Sequence, residues 1–189
     1  PVTVKTRLGW DDSTKYIVEV AERLQDVGIK AISIHGRTRK QMYKGEANWE
    51  LIRDVKNNQR MKIPVFGNGD VSCPKSAKEK KEKYQVDGIM IGRGAIGNPW
   101  IFNQIKEYLQ NGKIIDDPTI VEKANMVLEH LELSIKWKGP KLGILEMRRH
   151  YGNYFRGMPQ IKQYRSKLVQ SNDYQELVEL ITEIKQKYR

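Results

Sequence analysis

The sequence predicts an α/β unit of four successive βα repeats followed by an all-α unit. Three observations carry this. Four short apolar segments recur between amphipathic helical stretches, and short strands separated by helices pair in parallel through right-handed crossovers. After Asn111-Gly112 the pattern changes, and no strand candidate follows. The boundary falls at about residue 113, giving units over 1–112 and 113–189.

Pro1–Thr6 reads as a strand, rich in β-branched residues. Asp12-Ser13 cap a helix with Ile17, Val18, Ala21, Leu24 and Val27 at helical spacing, and Gly28 stops it. Ala31–His35 is the second strand, opening into a polar loop over Gly36–Ala47. Trp49–Lys56 is a short helix with Leu51, Ile52 and Val55 on one face. Ile63–Gly67 is the third strand, followed by a Lys/Glu-rich helix over Pro74–Tyr84 whose Lys75–Lys83 run is a solvated face. Gly88–Gly92 is the fourth, with a helix over Pro99–Leu109 behind it. Pro118–Lys136, Leu142–Phe155, Pro159–Gln170 and Tyr174–Tyr188 complete the helical unit, with Met147, Tyr151 and Phe155 as the core stripe of its second helix.

The chain has 189 residues, 34 Lys+Arg and 23 Asp+Glu, for a formal charge of +11. Residues 136–167 hold nine Lys/Arg against Glu146 alone, a surplus that attracts polyanions such as RNA or DNA by displacing their counterions. No run approaches the roughly 18 apolar residues that span a bilayer, and no apolar leader follows the start, so a soluble protein with no membrane partner is expected. One cysteine excludes an internal disulfide and a Cys-rich zinc site, which fits a cytoplasmic location; no metal site is expected. The chain opens on Pro1 without Met and enters a strand at once, which predicts that something upstream has been removed.

Each strand ends in chemistry-bearing residues: Lys5-Thr-Arg7, His35-Gly-Arg37-Thr-Arg39, Gly67-Asn-Gly-Asp70 and Gly92-Arg-Gly94. In a (β/α) barrel the strand C-termini form the active face, and late loops often bind phosphate. Glycines at 67, 69, 92, 94 and 97 let backbone N–H groups approach an anion, with Arg93 adding charge. The spacing matches neither a P-loop nor a dinucleotide fingerprint. Lys, His, Asn/Asp and Arg at four successive strand ends converge on one pocket suited to an electron-rich, phosphorylated cofactor.

Pro1–Trp10, Ile34–Arg39, Pro64–Asp70 and Ile89–Trp100, with Met147–Tyr151 and Tyr154–Gly157, resemble the tRNA-dihydrouridine synthases, most nearly the bacterial B-type subgroup, over nearly all 189 residues. The resemblance implies the C-terminal half, four βα units, of an FMN-binding TIM (β/α)8 barrel, then a helical tRNA-binding domain. It implies FMN as cofactor, NADPH as reductant, and reduction of uridine to dihydrouridine in tRNA, with a cysteine supplying a proton. Lys5 would lie beside the pyrimidine edge of the flavin, and His35 would contact the same region or the substrate base. Asn68, Gly69, Asp70, Gly92 and Arg93 would hold the ribityl chain and phosphate. Arg37 would touch the incoming nucleotide. Arg148, Arg149, His150, Tyr154, Arg156, Lys162, Arg165 and Lys167 would form the tRNA face.

The family's Asn-x-Gly-Cys-Pro segment, carrying the catalytic cysteine, has no match here and is expected upstream of Pro1. Cys73 also precedes a proline, but it stands at a helix start after Gly69–Ser72 and does not match that acid. No catalytic residue is therefore expected in this chain, and the 189 residues alone are expected to be inactive, to bind FMN weakly, and to self-associate through an exposed half-sheet in place of the missing half-barrel. Two other readings compete: an FMN barrel oxidoreductase acting on a free pyrimidine, and a non-catalytic RNA-binding module.

Overall fold

The computed structural model describes residues 1–188. Four strands, β1 (Thr3–Arg7), β2 (Ala31–His35), β3 (Val65–Asn68) and β4 (Gly88–Met90), form one sheet in the order β1-β2-β3-β4, every pair parallel. Four helices follow the strands in turn: α1 (Ile17–Asp26), α2 (Glu50–Asn57), α3 (Pro74–Tyr84) and α4 (Ile101–Asn111). Sequential order with same-handed crossovers puts the helices on one side of the sheet. Val4, Ile32, Ile34, Val65 and Ile89 meet Ile17, Ala21, Ile52, Val55, Ala77, Ile101 and Ile105 there in a single core. Side chains alternate across the pleat, so Lys5, Arg7, Ser33, His35, Phe66, Asn68 and Met90 share the other face.

Two glycines in strands answer to this packing. An added Cβ at Gly67 would lie 2.1 Å from Trp49 Cζ3 on the helical side, and one at Gly88 would lie 2.6 Å from the Phe66 ring. Gly28 ends the α1 segment at φ +95, a conformation that glycine adopts without strain.

Besides shifts of one or two residues at most element ends, three differences from the sequence reading bear on the architecture. Asp12–Thr14 forms a separate 3-10 turn, and α1 starts at Ile17. The turn closes on itself, because Thr14 Oγ1 accepts from Asp11 N–H at 2.9 Å and donates to Asp11 Oδ1 at 3.0 Å. Strand β4 stops at Met90, since the chain then turns into a 3-10 segment over Arg93–Ala95. Residues 96–100, placed by sequence with the first unit, cluster with the second; the two compact units are 1–95 with 101–114, and 96–100 with 115–188.

The second unit is helical: α5 (Ile120–Lys138), α6 (Pro140–Tyr154), α7 (Ile161–Gln170) and α8 (Tyr174–Lys187). Its core gathers Val127, Leu131, Ile144, Met147, Tyr151, Phe155, Leu168, Leu177, Ile181 and Ile184. Met147, Tyr151 and Phe155 are all fully buried, as their four-residue spacing requires. Thr119 and Glu122 cap α5 reciprocally, and Gly139 at φ +78 separates α5 from Pro140, the first residue of α6. Trp100 joins this core, its ring edge-on to Tyr154 at 6.4 Å.

The exposed Cys73 is the N-cap of α3, its Sγ accepting from Ser76 N–H, a structural post. Among the described residues no helix is long and apolar enough to cross a membrane, and no three His, Cys, Asp or Glu side chains gather as metal ligands.

Each of β1 and β4 pairs on one side only. Unpaired strand edges recruit further strands, so the 189 residues on their own should associate in solution. Static light scattering should give a mass above the 22.0 kDa monomer that rises with concentration; a stable monomer at high concentration would show that the edges are inert.

Candidate functional site

The parallel register sets the site. Arg7, His35, Asn68 and Met90 stand in one row across the four strands, with Lys5, Ser33 and Phe66 one row below. The loops after these strands complete a cavity of about 440 Å³ whose lining includes Lys5, Arg7, His35, Tyr43, Asn68, Gly69, Asp70, Gly92 and Arg93. The residues expected from strand ends 1 to 4 thus meet at one place. Lysine and two arginines face one carboxylate there, so the cavity favours an anionic ligand.

His35 is buried, and its ring sits where a Cβ on Gly69 would come within 3.2 Å of Cδ2. Gly69 has φ +128, so the position requires glycine on both counts. Burial, then the charges of Arg7, Lys5 and Arg37, push the imidazole down to about 4, leaving it neutral at pH 7. Asn68 Nδ2 donates to the Met90 carbonyl at 2.7 Å, tying β3 to β4 at the cavity floor.

Asp70 lines the cavity but does not have a free carboxylate. Its Oδ2 accepts from Arg37 Nη2 and from Ala47 N–H, each at 2.8 Å, and Oδ1 accepts from Arg93 Nη2 at 3.3 Å. Burial raises its pKa, but these hydrogen bonds and the Arg37 and Arg93 charges outweigh that and hold it below the usual carboxylate range. An ionised carboxylate repels phosphate, so within the group of residues expected over the ribityl chain and phosphate Asp70 is the one that holds the arginines. Its own backbone is left-handed, φ +54, a strained state that Asp tolerates and that clusters at sites.

Arg37 is a second correction. The sequence reading gives it to an incoming nucleotide, but it is 2% exposed and its guanidinium donates to the carbonyls of Lys44 and Gly45 as well as to Asp70. It is a strut inside the loop between β2 and α2. The outer surface of that loop belongs instead to Tyr43, whose ring lies 4.4 Å from the Arg93 guanidinium carbon and 5.7 Å from that of Arg7. Arg7 also donates to the carbonyls of Thr38 and Met42, at 2.8 and 2.9 Å. Sequence reasoning left Tyr43 and Met90 out of the site, and marked Arg7 and Gly94 as strand-end residues without giving either a contact of its own. Arg7 lies two residues beyond Lys5 and so on the same strand face; nothing local in the sequence marks Tyr43.

Glycines 67 and 92 make a paired test. A Cβ on Gly92 would meet no protein atom within 4 Å, and its backbone needs no special conformation. Gly67→Ala should cost about 1–3 kcal/mol by overpacking against Trp49, while Gly92→Ala should stay within about 0.5 kcal/mol of the parent. Urea denaturation of the two variants decides it; equal losses would mean that Gly92 serves the fold.

In the helical unit the expected tRNA residues divide. Arg149, Arg156, Lys162, Arg165 and Lys167 are exposed. Arg156 and Arg165, with Gly152, Asn153 and Ile161, line a recess of about 330 Å³. Tyr154 is corrected: it is 5% exposed, faces the core, and lies 3.2 Å from His130 Nδ1 through its hydroxyl. Arg148 is corrected too, since its Nη2 donates to Asn172 Oδ1 at 2.9 Å and to the last carbonyls of α7. The two corrections share a cause, for Met147, Tyr151 and Phe155 define the buried stripe and Arg148 and Tyr154 flank it. His150 is half-buried against His130, ring centroids 4.8 Å apart.

Four βα units in sequential order, with cations, a neutral imidazole and glycines gathered at the strand C-termini, define an α/β protein of barrel type with a cationic cavity at its strand ends. The family model for dihydrouridine synthase matches residues 1–188, and the chain belongs to that family. It is similar to a probable tRNA-dihydrouridine synthase of Rickettsia conorii, 42% identical over 183 residues, covering 97% of this chain and 55% of that protein. It is also similar to tRNA-dihydrouridine synthase B of Pseudomonas putida, 39% identical over 93% of this chain and 51% of the relative, and to that of Vibrio vulnificus, 41% identical over 87% and 51%. The chain spans about half the length of the curated relatives it matches.

Proposed function

We propose that this chain is part of an FMN-dependent tRNA-dihydrouridine synthase that reduces uridine in tRNA with NADPH, contributing the strand-end half of the flavin site and the tRNA-binding helices. The observation that carries the reading is the convergence of Lys5, His35, Asn68, Gly69, Gly92 and Arg93 on one cationic cavity.

The residues present fit the cofactor. The open space over Gly92 is a cradle that a side chain would fill, and Arg93 stands beside it, oriented by Asp70 and Tyr43. That pair suits a phosphate. Asn68 and Gly69 suit the ribityl chain, and Lys5 suits a ring edge that gains negative charge on reduction. When bound, the flavin would supply hydride chemistry for reducing a uracil ring. The chain's own residues bind and orient: Lys5 and Arg7 supply positive charge, His35 supplies a neutral hydrogen-bonding group, and the loop held by Arg37 covers the strand ends. The proton donor, by family resemblance a cysteine, is assigned to none of these residues. A base in tRNA must leave its stack to reach such a cavity. The exposed cations of the helical unit favour tRNA over a free pyrimidine as substrate.

Two measurements test the reading. The 189 residues alone should retain little FMN and form no dihydrouridine; tight stoichiometric flavin on purification would contradict this. A chimera carrying the N-terminal part of the Rickettsia conorii relative ahead of these residues should retain flavin and form dihydrouridine in a tRNA transcript with NADPH. Lys5→Met and Gly92→Leu in that chimera should each lower flavin retention at least tenfold. A folded chimera with no flavin, or one indifferent to both changes, would sink the assignment.

A further inference from the structure

We infer that Arg37 is a positioning residue that fixes the tautomer of His35, so that the cavity receives a neutral imidazole carrying its proton on Nδ1. The inference concerns the site of the proposed function but not the identity of its ligand, and its test reads a nitrogen, not an activity.

A guanidinium has five N–H donors, no acceptor, and keeps its charge at any pH the protein survives. Arg37 Nη1 stands 3.4 Å from His35 Nε2, and both residues are buried, at 2% and 5% exposure. A proton on Nε2 would set two N–H groups head to head in a buried space, one on a cation. A lone pair on Nε2 turns the same contact into attraction. The imidazole therefore presents Nε2 as acceptor and carries its proton on Nδ1.

Arg37 cannot turn aside to relieve the alternative. Its Nη2 donates to the Gly45 carbonyl at 2.5 Å and to Asp70 Oδ2 at 2.8 Å, and its Nε donates to the Lys44 carbonyl at 3.3 Å. On the Gly69 side the ring presents Cδ2 and Nε2, which a Cβ there would meet at 3.2 and 3.5 Å.

At the other edge of the ring, Nδ1 has no hydrogen-bond partner among the described residues. Buried side-chain N and O atoms lacking a partner among those residues are Arg148 Nε and Tyr151 Oη alone, so Nδ1 is open to the cavity that His35 lines. The charged groups facing the ring are Arg7, Lys5 and Arg37, with Asp70 opposing them, and the balance together with burial favours the neutral form. His35 thus offers a ligand one N–H donor and no charge. The ligand atom that meets it is an acceptor, a carbonyl or phosphoryl oxygen or an unprotonated ring nitrogen, and His35 does not act as an imidazolium acid at neutral pH.

The chain has three histidines, so a spectrum of 15N-histidine-labelled protein is sparse. Long-range 1H–15N correlation at pH 7, with His35 assigned by its loss in His35→Gln, should show a neutral ring whose unprotonated nitrogen is Nε2. In Arg37→Met, with folding verified by circular dichroism, a measurable share of the ring should move to the Nε2–H tautomer, and its pKa should rise as a neighbouring positive charge is removed. Should Arg37→Met fail to fold, the wild-type protein gives the second measurement: a nuclear Overhauser contact from the Arg37 guanidinium protons to the His35 ring proton on Cδ2 or Cε1. An imidazolium at pH 7, a wild-type Nε2–H tautomer, an unchanged tautomer in folded Arg37→Met, or absence of that contact overturns the inference.

Discussion

Arg37→Met should lower the unfolding free energy of the first unit by about 2–4 kcal/mol, the largest loss expected from any single substitution at the site. Breaking a buried ion pair by removing one partner costs about 3–5 kcal/mol when both charges are sealed from water. Here the Arg37 side chain is 3% exposed but that of Asp70 is 32% exposed, so water recovers part of the loss. The carbonyls of Lys44 and Gly45 lose their donor as well. Asp70→Asn should cost less, since the amide oxygen can still accept from Arg37 and from Ala47 N–H. Urea titration followed by tryptophan fluorescence reads both, because buried Trp49 donates to the Gly69 carbonyl beside Asp70. Equal losses for the two variants, or less than about 1 kcal/mol for Arg37→Met, would show that the loop is held by Arg7 and not by Arg37. The same substitution tests more than stability: Tyr43 stacks on Arg93 only while its loop is in place, so a weakened strut should also loosen the cation that the phosphate reading needs.

The strand ends were legible because a period-two pattern fixes which side chains share a face, whatever the surrounding fold. Lys5 is assigned to the cavity face by that period, while His35, Asn68 and Arg93 follow from the rule that strand C-termini and the loops after them converge on one face. What the pattern cannot give is the use made of each side chain. Asp70 reads as a strand-end carboxylate in any sequence; only the approach of Arg37 and of Ala47 N–H across more than twenty residues turns it into an internal anchor. Arg37 reads as an exposed loop cation because arginine usually is one. Its burial depends on carbonyls seven and eight residues onward folding back over it, a loop conformation with no periodicity to signal it. The helical unit repeats the lesson: the core stripe of α6 was visible as a spacing, but the fate of its flanking residues was not, since Arg148 is claimed by the end of α7, more than twenty residues away.

That division makes the tRNA face a test with two opposite outcomes. Replacing Arg156 and Arg165 together by Ala should weaken binding of a tRNA transcript about 10–100-fold. The slope of log affinity against log salt should fall by about 1–2, roughly one for each phosphate contact removed. Both side chains are exposed and flank one recess, so their loss removes charge with little cost to the fold. Arg148→Ala and Tyr154→Phe should do the reverse. The first strips hydrogen bonds from the end of α7 and should cost about 1–3 kcal/mol. The second loses one buried contact to His130 and should cost about 0.5–1.5 kcal/mol. Neither should change the salt slope, because the Tyr154 hydroxyl is buried against His130, the Arg148 Nη2 is held at the end of α7, and the unpartnered Arg148 Nε is buried out of reach of a phosphate. Filter binding across a salt series, set beside thermal melts of the same proteins, separates the two. If Arg148→Ala lowers the slope as much as the double variant does while the melt is unchanged, then Arg148 leaves its α7 carbonyls to meet RNA, and the basic face is wider than the five exposed cations.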